Sequence, residues 1–157
     1  MIALLAIVAV LALAGTASAA EPADTFAPRL SAIASELAGH DVSVYCHTFT
    51  DMTAGLAFPS NSEVWLARDV CRGVKSAPRV LASPGYPQVG TPGAIHVFGH
   101  EIGHARVLDD EADTEIRAEC YGYAHVRDLA LRLGFRAKDM KFIVRAAHGY
   151  SWCKDVA

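Results

Sequence analysis

The stretch Phe98–Arg106, FGHEIGHAR, carries two histidines four residues apart, His100 and His104, with Glu101 directly after the first. Residues four apart share one face of an α-helix. On a helix the two imidazoles therefore offer nitrogen donors to a single cation. Glu101 is turned about 100° from His100 at 3.6 residues per turn. That rotation keeps its carboxylate off the cation and within reach of a water beside it. This spacing suits a catalytic Zn2+: two imidazole ligands and a base on one rigid element. Zinc lowers the pKa of its water, and a glutamate so placed takes the proton as that water attacks a carbonyl.

A catalytic zinc also needs a third protein ligand and an open position. The run DDEADTEIRAECYGYAHV supplies Asp109, Asp110, Glu111, Asp113, Glu115 and Glu119 as candidates. Glu119 shares a helical stripe with Ile116, Tyr123, Val126, Ala130 and Leu133, so it is expected to point inward. A buried carboxylate needs a partner, and a metal is one. Glu115 lies one turn earlier, beside Ala112, Gly122 and Val126, and competes for the role. If both face the metal, one is the ligand and the other hydrogen-bonds a histidine. His96 continues the histidine stripe one turn earlier and is expected to be a packed histidine. Tyr123, His125, His148 and Tyr150 are candidates for stabilising a tetrahedral oxyanion. Trp65 and Trp152 are expected to pack.

Elements must hold these groups in place. Ala23–Gly39 is amphipathic and predicts a helix ended by Gly39. VSVYCHTFT, within Asp41–Thr50, predicts a strand, Ala57-Phe58 a second short one and EVWLA, Glu63–Ala67, a third, with Val64 and Leu66 opposite Trp65. Asp69–Val74 predicts a short helical piece carrying Cys71. SPGYPQVGTP, Ser83–Pro92, is a loop leading into a helix that starts at Thr91-Pro92 and runs to about Leu108. On that helix Ile95, Phe98 and Ile102 form an apolar stripe to pack it onto the body, and Gly99 and Gly103 leave room beside the histidines. A second long helix is expected over Glu111–Leu133, stopped by Gly134, and a last one over Ala137–His148. Strands grouped before helices imply an α+β fold.

At 157 residues the chain is sized for one domain. Its formal net charge of -3 suggests neither nucleic acid nor an anionic membrane as partner. Ile2–Ala14 is an apolar core followed by small residues, with Ala17-Ser18-Ala19 as an A-x-A cleavage site. Residues 1–20 are therefore expected to be a signal peptide and 21–157 the mature domain, secreted to an extracellular or periplasmic compartment and off the membrane after cleavage. Such a compartment permits disulfides. Cys46, Cys71, Cys120 and Cys153 allow three pairings. The pairing of chain neighbours, Cys46–Cys71 and Cys120–Cys153, is favoured.

FGHEIGHAR followed by an acidic helix with RAECYGYA resembles the zincin metallopeptidases, specifically small secreted gluzincin-type ones. In that family HExxH on one helix is completed by a glutamate on the next. The resemblance covers about Gly93–Ala124. It implies a zincin-like sheet with an active-site helix and a glutamate-bearing helix behind it. It also implies His100, His104 and Glu119 as zinc ligands, Glu101 as general base, and EVWLA as the edge strand lining the cleft. The chain departs from the metzincins, which continue HExxHxxGxxH or HExxHxxGxxD: Val107 stands where they have glycine, although Asp110 falls at the aspartate position. The implied activity is hydrolysis of peptide bonds in a peptide or protein substrate. Two other functions remain open: a zincin-fold binding or structural module with little turnover, and hydrolysis of a non-protein amide such as one in the cell wall.

Overall fold

The computed structural model describes residues 24–75, 91–106 and 114–149, with 151 and 153. The expected signal peptide, most of the Ser83–Pro92 loop, Asp109–Asp113, Tyr150 and Trp152 lie outside the described residues. Four strands, β1 (Asp24–Phe26), β2 (Ser43–His47), β3 (Gly55–Phe58) and β4 (Glu63–Ala67), form one sheet in the order β1-β2-β4-β3. Among the described residues five α-helices accompany it: α1 (Pro28–Ala38), α2 (Arg68–Lys75), α3 (Thr91–Arg106), α4 (Thr114–Arg132) and α5 (Met140–His148). The fold is mixed α+β.

The start of α1 differs from expectation. Asp24–Phe26 is not the first turn of a helix but a strand antiparallel to β2, with Phe26 opposite Tyr45. Proline is the physical reason. Pro28 sits at the helix start, and the residue before a proline is pushed out of the α region; Ala27 has φ -119° and ψ 81°. Two serines then fasten α1 to β2. The Val44 N–H donates to Ser31 Oγ and the Val42 N–H to Ser35 Oγ, both at 2.9 Å.

The strands alternate as a one-sided sheet requires. Val44, Cys46, Val64 and Leu66 are buried, while Trp65 turns to the other face between His47 and Phe58. β4 is parallel to β2 and antiparallel to β3. Consequently EVWLA is an interior strand, and the edge beside it is β3. The hairpin from β3 places β3 outside β4.

Helix α3 runs through the middle and packs against the other four helices and the sheet. Ile95, Phe98 and Ile102 are fully buried in the same core cluster as Leu30, Leu66, Leu129 and Ile143. Glu101 is also buried here, so α3 tolerates water on only a narrow strip. Helix α4 ends at Gly134, whose φ of +95° lets the Phe135 N–H reach the Ala130 carbonyl at 3.0 Å. The final helix begins with a 3-10 turn, Ala137–Asp139. Cys46–Cys71 ties β2 to α2, and Cys120–Cys153 ties α4 to the chain beyond α5. Among the described residues no helix is long and apolar enough to cross a membrane.

Candidate metal centre

Small residues set the distance between α3 and α4. A Cβ added at Gly103 would stand 2.7 Å from the Ala118 Cα, and one at Gly122 would stand 2.8 Å from the His100 backbone nitrogen. Real side chains do not fit there. The close approach brings carboxylates from α4 over the histidines of α3.

His100 and His104 meet as their spacing on α3 predicts. Their Nε2 atoms are 3.0 Å apart. The Glu115 carboxylate completes a triangle, with Oε2 3.4 Å from His100 Nε2 and Oε1 3.3 Å from His104 Nε2. These three residues form a group that can hold a metal ion. The dimensions suit one: two nitrogens each about 2.0–2.1 Å from a tetrahedral zinc stand about 3.3 Å from one another.

Glu119, the other expected ligand, lies on the opposite side of His100. Its Oε2 is 3.1 Å from His100 Nδ1, and its two oxygens are 3.1 and 3.2 Å from His96 Nε2. Burial alone would raise the Glu119 pKa. Hydrogen bonds from Ser151, His96 and His100 outweigh that and hold it below the usual carboxylate range. An ionised carboxylate only accepts. His100 therefore donates from Nδ1, and its Nε2 turns a lone pair toward His104 and Glu115. A metal-binding histidine needs this tautomer and this kind of outer partner. His96 is packed, as expected, but it also braces Glu119. Burial pushes His96 below the usual imidazole range, against the pull of Glu119. Burial and the neighbouring His100 do the same to His104, against Glu115. Neutral imidazoles are the form a cation takes.

Glu101 belongs to the same centre without joining the triangle. It is 5% exposed, and burial, with the charge of Glu115, pushes its pKa up to about 8. Its carboxylate lies against β3: a Cβ added at Gly55 would be 2.6 Å from Glu101 Oε1. Beside this contact lies a cleft of about 430 Å³, whose lining includes Thr53, Ala54, Gly55, His96, His100, Glu101 and Glu119. A second cavity of about 500 Å³ continues past Thr53 and Ala54.

The oxyanion candidates are differently engaged. His148 stacks on Tyr123 and donates from Nε2 to its carbonyl at 3.0 Å. His125 stacks on Tyr121 and donates from Nδ1 to its carbonyl at 2.9 Å. Ile116, expected on the buried stripe of α4, is 42% exposed; that stripe is buried at Glu119, Val126, Ala130 and Leu133. Gly55, which lies against Glu101, carries no motif. Comparison of the chain with protein-family models, with curated proteins and with solved structures finds no match.

Proposed function

We propose that the protein is a secreted zinc metallopeptidase of zincin-like design, in which His100, His104 and Glu115 hold the metal and Glu101 is the general base. One observation carries this reading. Two imidazole nitrogens and a carboxylate converge at zinc-ligand spacing, and a buried glutamate faces the adjoining cleft. A bound zinc would polarise the scissile carbonyl and acidify the attacking water. Glu101 would serve as the base, holding a proton taken from water in the site for the leaving amine nitrogen. Glu119 keeps the proton of His100 on Nδ1. The cleft beside edge strand β3 gives a peptide room to lie across α3. Burial of Glu101 favours catalysis over a binding role, because a site that only holds a metal has no use for a sequestered base.

Metal analysis of the mature protein, with Glu115→Ala and Glu119→Ala beside it, tests the centre. One zinc per chain is expected, lost in Glu115→Ala and retained more weakly in Glu119→Ala. A peptide library then tests turnover: cleavage by wild type should vanish in Glu101→Gln, which keeps its zinc. No zinc in the wild type would end the metal reading. Zinc without cleavage of any peptide would end the peptidase reading.

A further inference from the structure

The cleft beside the metal centre does not end at Glu101. Past Thr53 and Ala54, which border both spaces, it meets the cavity of about 500 Å³. One wall of that cavity is helix α2, which contributes Arg68 and Arg72. Residues four apart share a helix face, so the two side chains leave α2 on the same side. Val70, Cys71 and Val74 seat the helix in the core, and the Cys46–Cys71 disulfide ties it to β2. The arginines therefore stand on a fixed support.

The cavity also holds two carboxylates, and both are engaged by backbone amides. Asp51 Oδ1 accepts the Thr53 N–H at 3.0 Å, and Asp69 Oδ1 accepts the Val70 N–H at 2.9 Å. Arg72 is exposed, and among the described residues it has neither hydrogen bond nor ion pair. A guanidinium offers five N–H donors and no acceptor. Its planar fork matches a carboxylate through two parallel hydrogen bonds.

We infer that this cavity is a substrate subsite that accepts a carboxylate, with Arg72 as the residue that selects it. The carboxylate belongs to an aspartate or glutamate side chain of the peptide, or to its C-terminus. The inference rests on the peptidase reading proposed above and adds to it a preference among peptides. Because the cavity meets the cleft at one end, at Thr53 and Ala54, the preference falls on one side of the scissile bond.

Positional libraries of fluorogenic peptides test it, with the wild type beside Arg72→Gln and Arg72→Glu. The side chain is exposed, so both variants should keep their fold and their zinc content. Wild type should prefer glutamate over glutamine at one position. An exposed ion pair is worth little and a bidentate charge-assisted one more, so a preference of about 3–10-fold in kcat/KM is expected. It should reside in KM, vanish in Arg72→Gln and pass to lysine in Arg72→Glu, with other positions unchanged. Raised salt should weaken it. Peptides with free and amidated C-termini separate the two sources: a preference for the free terminus without one for glutamate assigns the carboxylate to the chain end. Equal cleavage with and without the carboxylate, or a preference that survives Arg72→Gln, would overturn the inference. A wild type that cleaves nothing would defeat the peptidase reading separately. The Arg72 side-chain N–H resonances, titrated with a short glutamate peptide and its glutamine counterpart, then decide whether the cavity takes a carboxylate: a shift with glutamate alone supports it, and a shift with both or with neither overturns it.

Discussion

The Nε2 atoms of His100 and His104 face each other at 3.0 Å. Because Glu119 accepts a hydrogen bond from the Nδ1–H of His100, the facing atom of His100 carries a lone pair. Only a proton on His104 or a shared cation makes that approach favourable, and Glu115 adds negative charge at the same point. In the metal-free protein a proton on His104 Nε2 fills that role, and a bound cation would take its place.

Zinc should raise stability measurably. With free zinc at about 100 times its dissociation constant, the folded state gains about 2.7 kcal/mol. A domain of this size then melts higher, on the order of 5–11 °C. Calorimetry with and without a chelator checks this. An unchanged melting temperature would mean that no cation is taken up in the folded state.

Gly55→Ala probes the base. The added Cβ would meet Glu101 Oε1 at 2.6 Å and its Cγ at 2.7 Å, so the flexible carboxylate must swing aside while the fold persists. A displacement of about 1 Å at a reacting group costs on the order of 100-fold in rate. We expect that loss in kcat, with zinc content and melting temperature close to wild type. Equal activity would show that Glu101 does not act from its observed position.

Gly103→Ala probes the helix contact. Here the new Cβ meets the backbone at Ala118, 2.7 Å away, and backbone cannot swing aside. Separating α3 from α4 should cost about 1–3 kcal/mol, the usual range for overpacking. Glu115 moves with α4, so zinc affinity should fall too. Denaturant titration and chelator competition on the same variant check both.

The pH dependence of the metal-free protein follows from Glu101. Its folded pKa is raised from 4.5 to about 8, so the folded state binds a proton that the unfolded state has released. This contribution is fully present below pH 4.5 and is lost as pH rises through about 8. Across that window stability should fall by at most about 1.4 kcal/mol per pH unit. Glu101→Gln should flatten the profile and leave the metal-free protein more stable than wild type at pH 8. Chemical denaturation at several pH values, with chelator present, decides it; parallel profiles would show that Glu101 is not sequestered.

Local rules made much of this legible. The four-residue spacing of His100 and His104, the alternation of Val64 and Leu66 with Trp65, the stop at Gly134 and the pairing of neighbouring cysteines all appear as expected. Non-local choices were not legible. Glu115 and Glu119 both face α3, and helical periodicity gives their direction but not the axial offset between two helices. That offset depends on Gly103 against Ala118. The position of EVWLA inside the sheet depends on β3 folding back along it, which no residue of EVWLA encodes. Asp24–Phe26 is too short to show strand alternation, and only Pro28 hints that the helix starts late.

The short chain distance between the three grouped side chains bears on how the protein is made. Residues 100–115 contain all of them, while the sheet joins segments from Asp24 to Ala67. A cation bound there would close a loop of only about sixteen residues, at small entropic cost. It would gather α3 and the start of α4 before the rest of the chain has condensed. Zinc would then act on the rate of folding rather than on the rate of unfolding, with the metal serving as a nucleus.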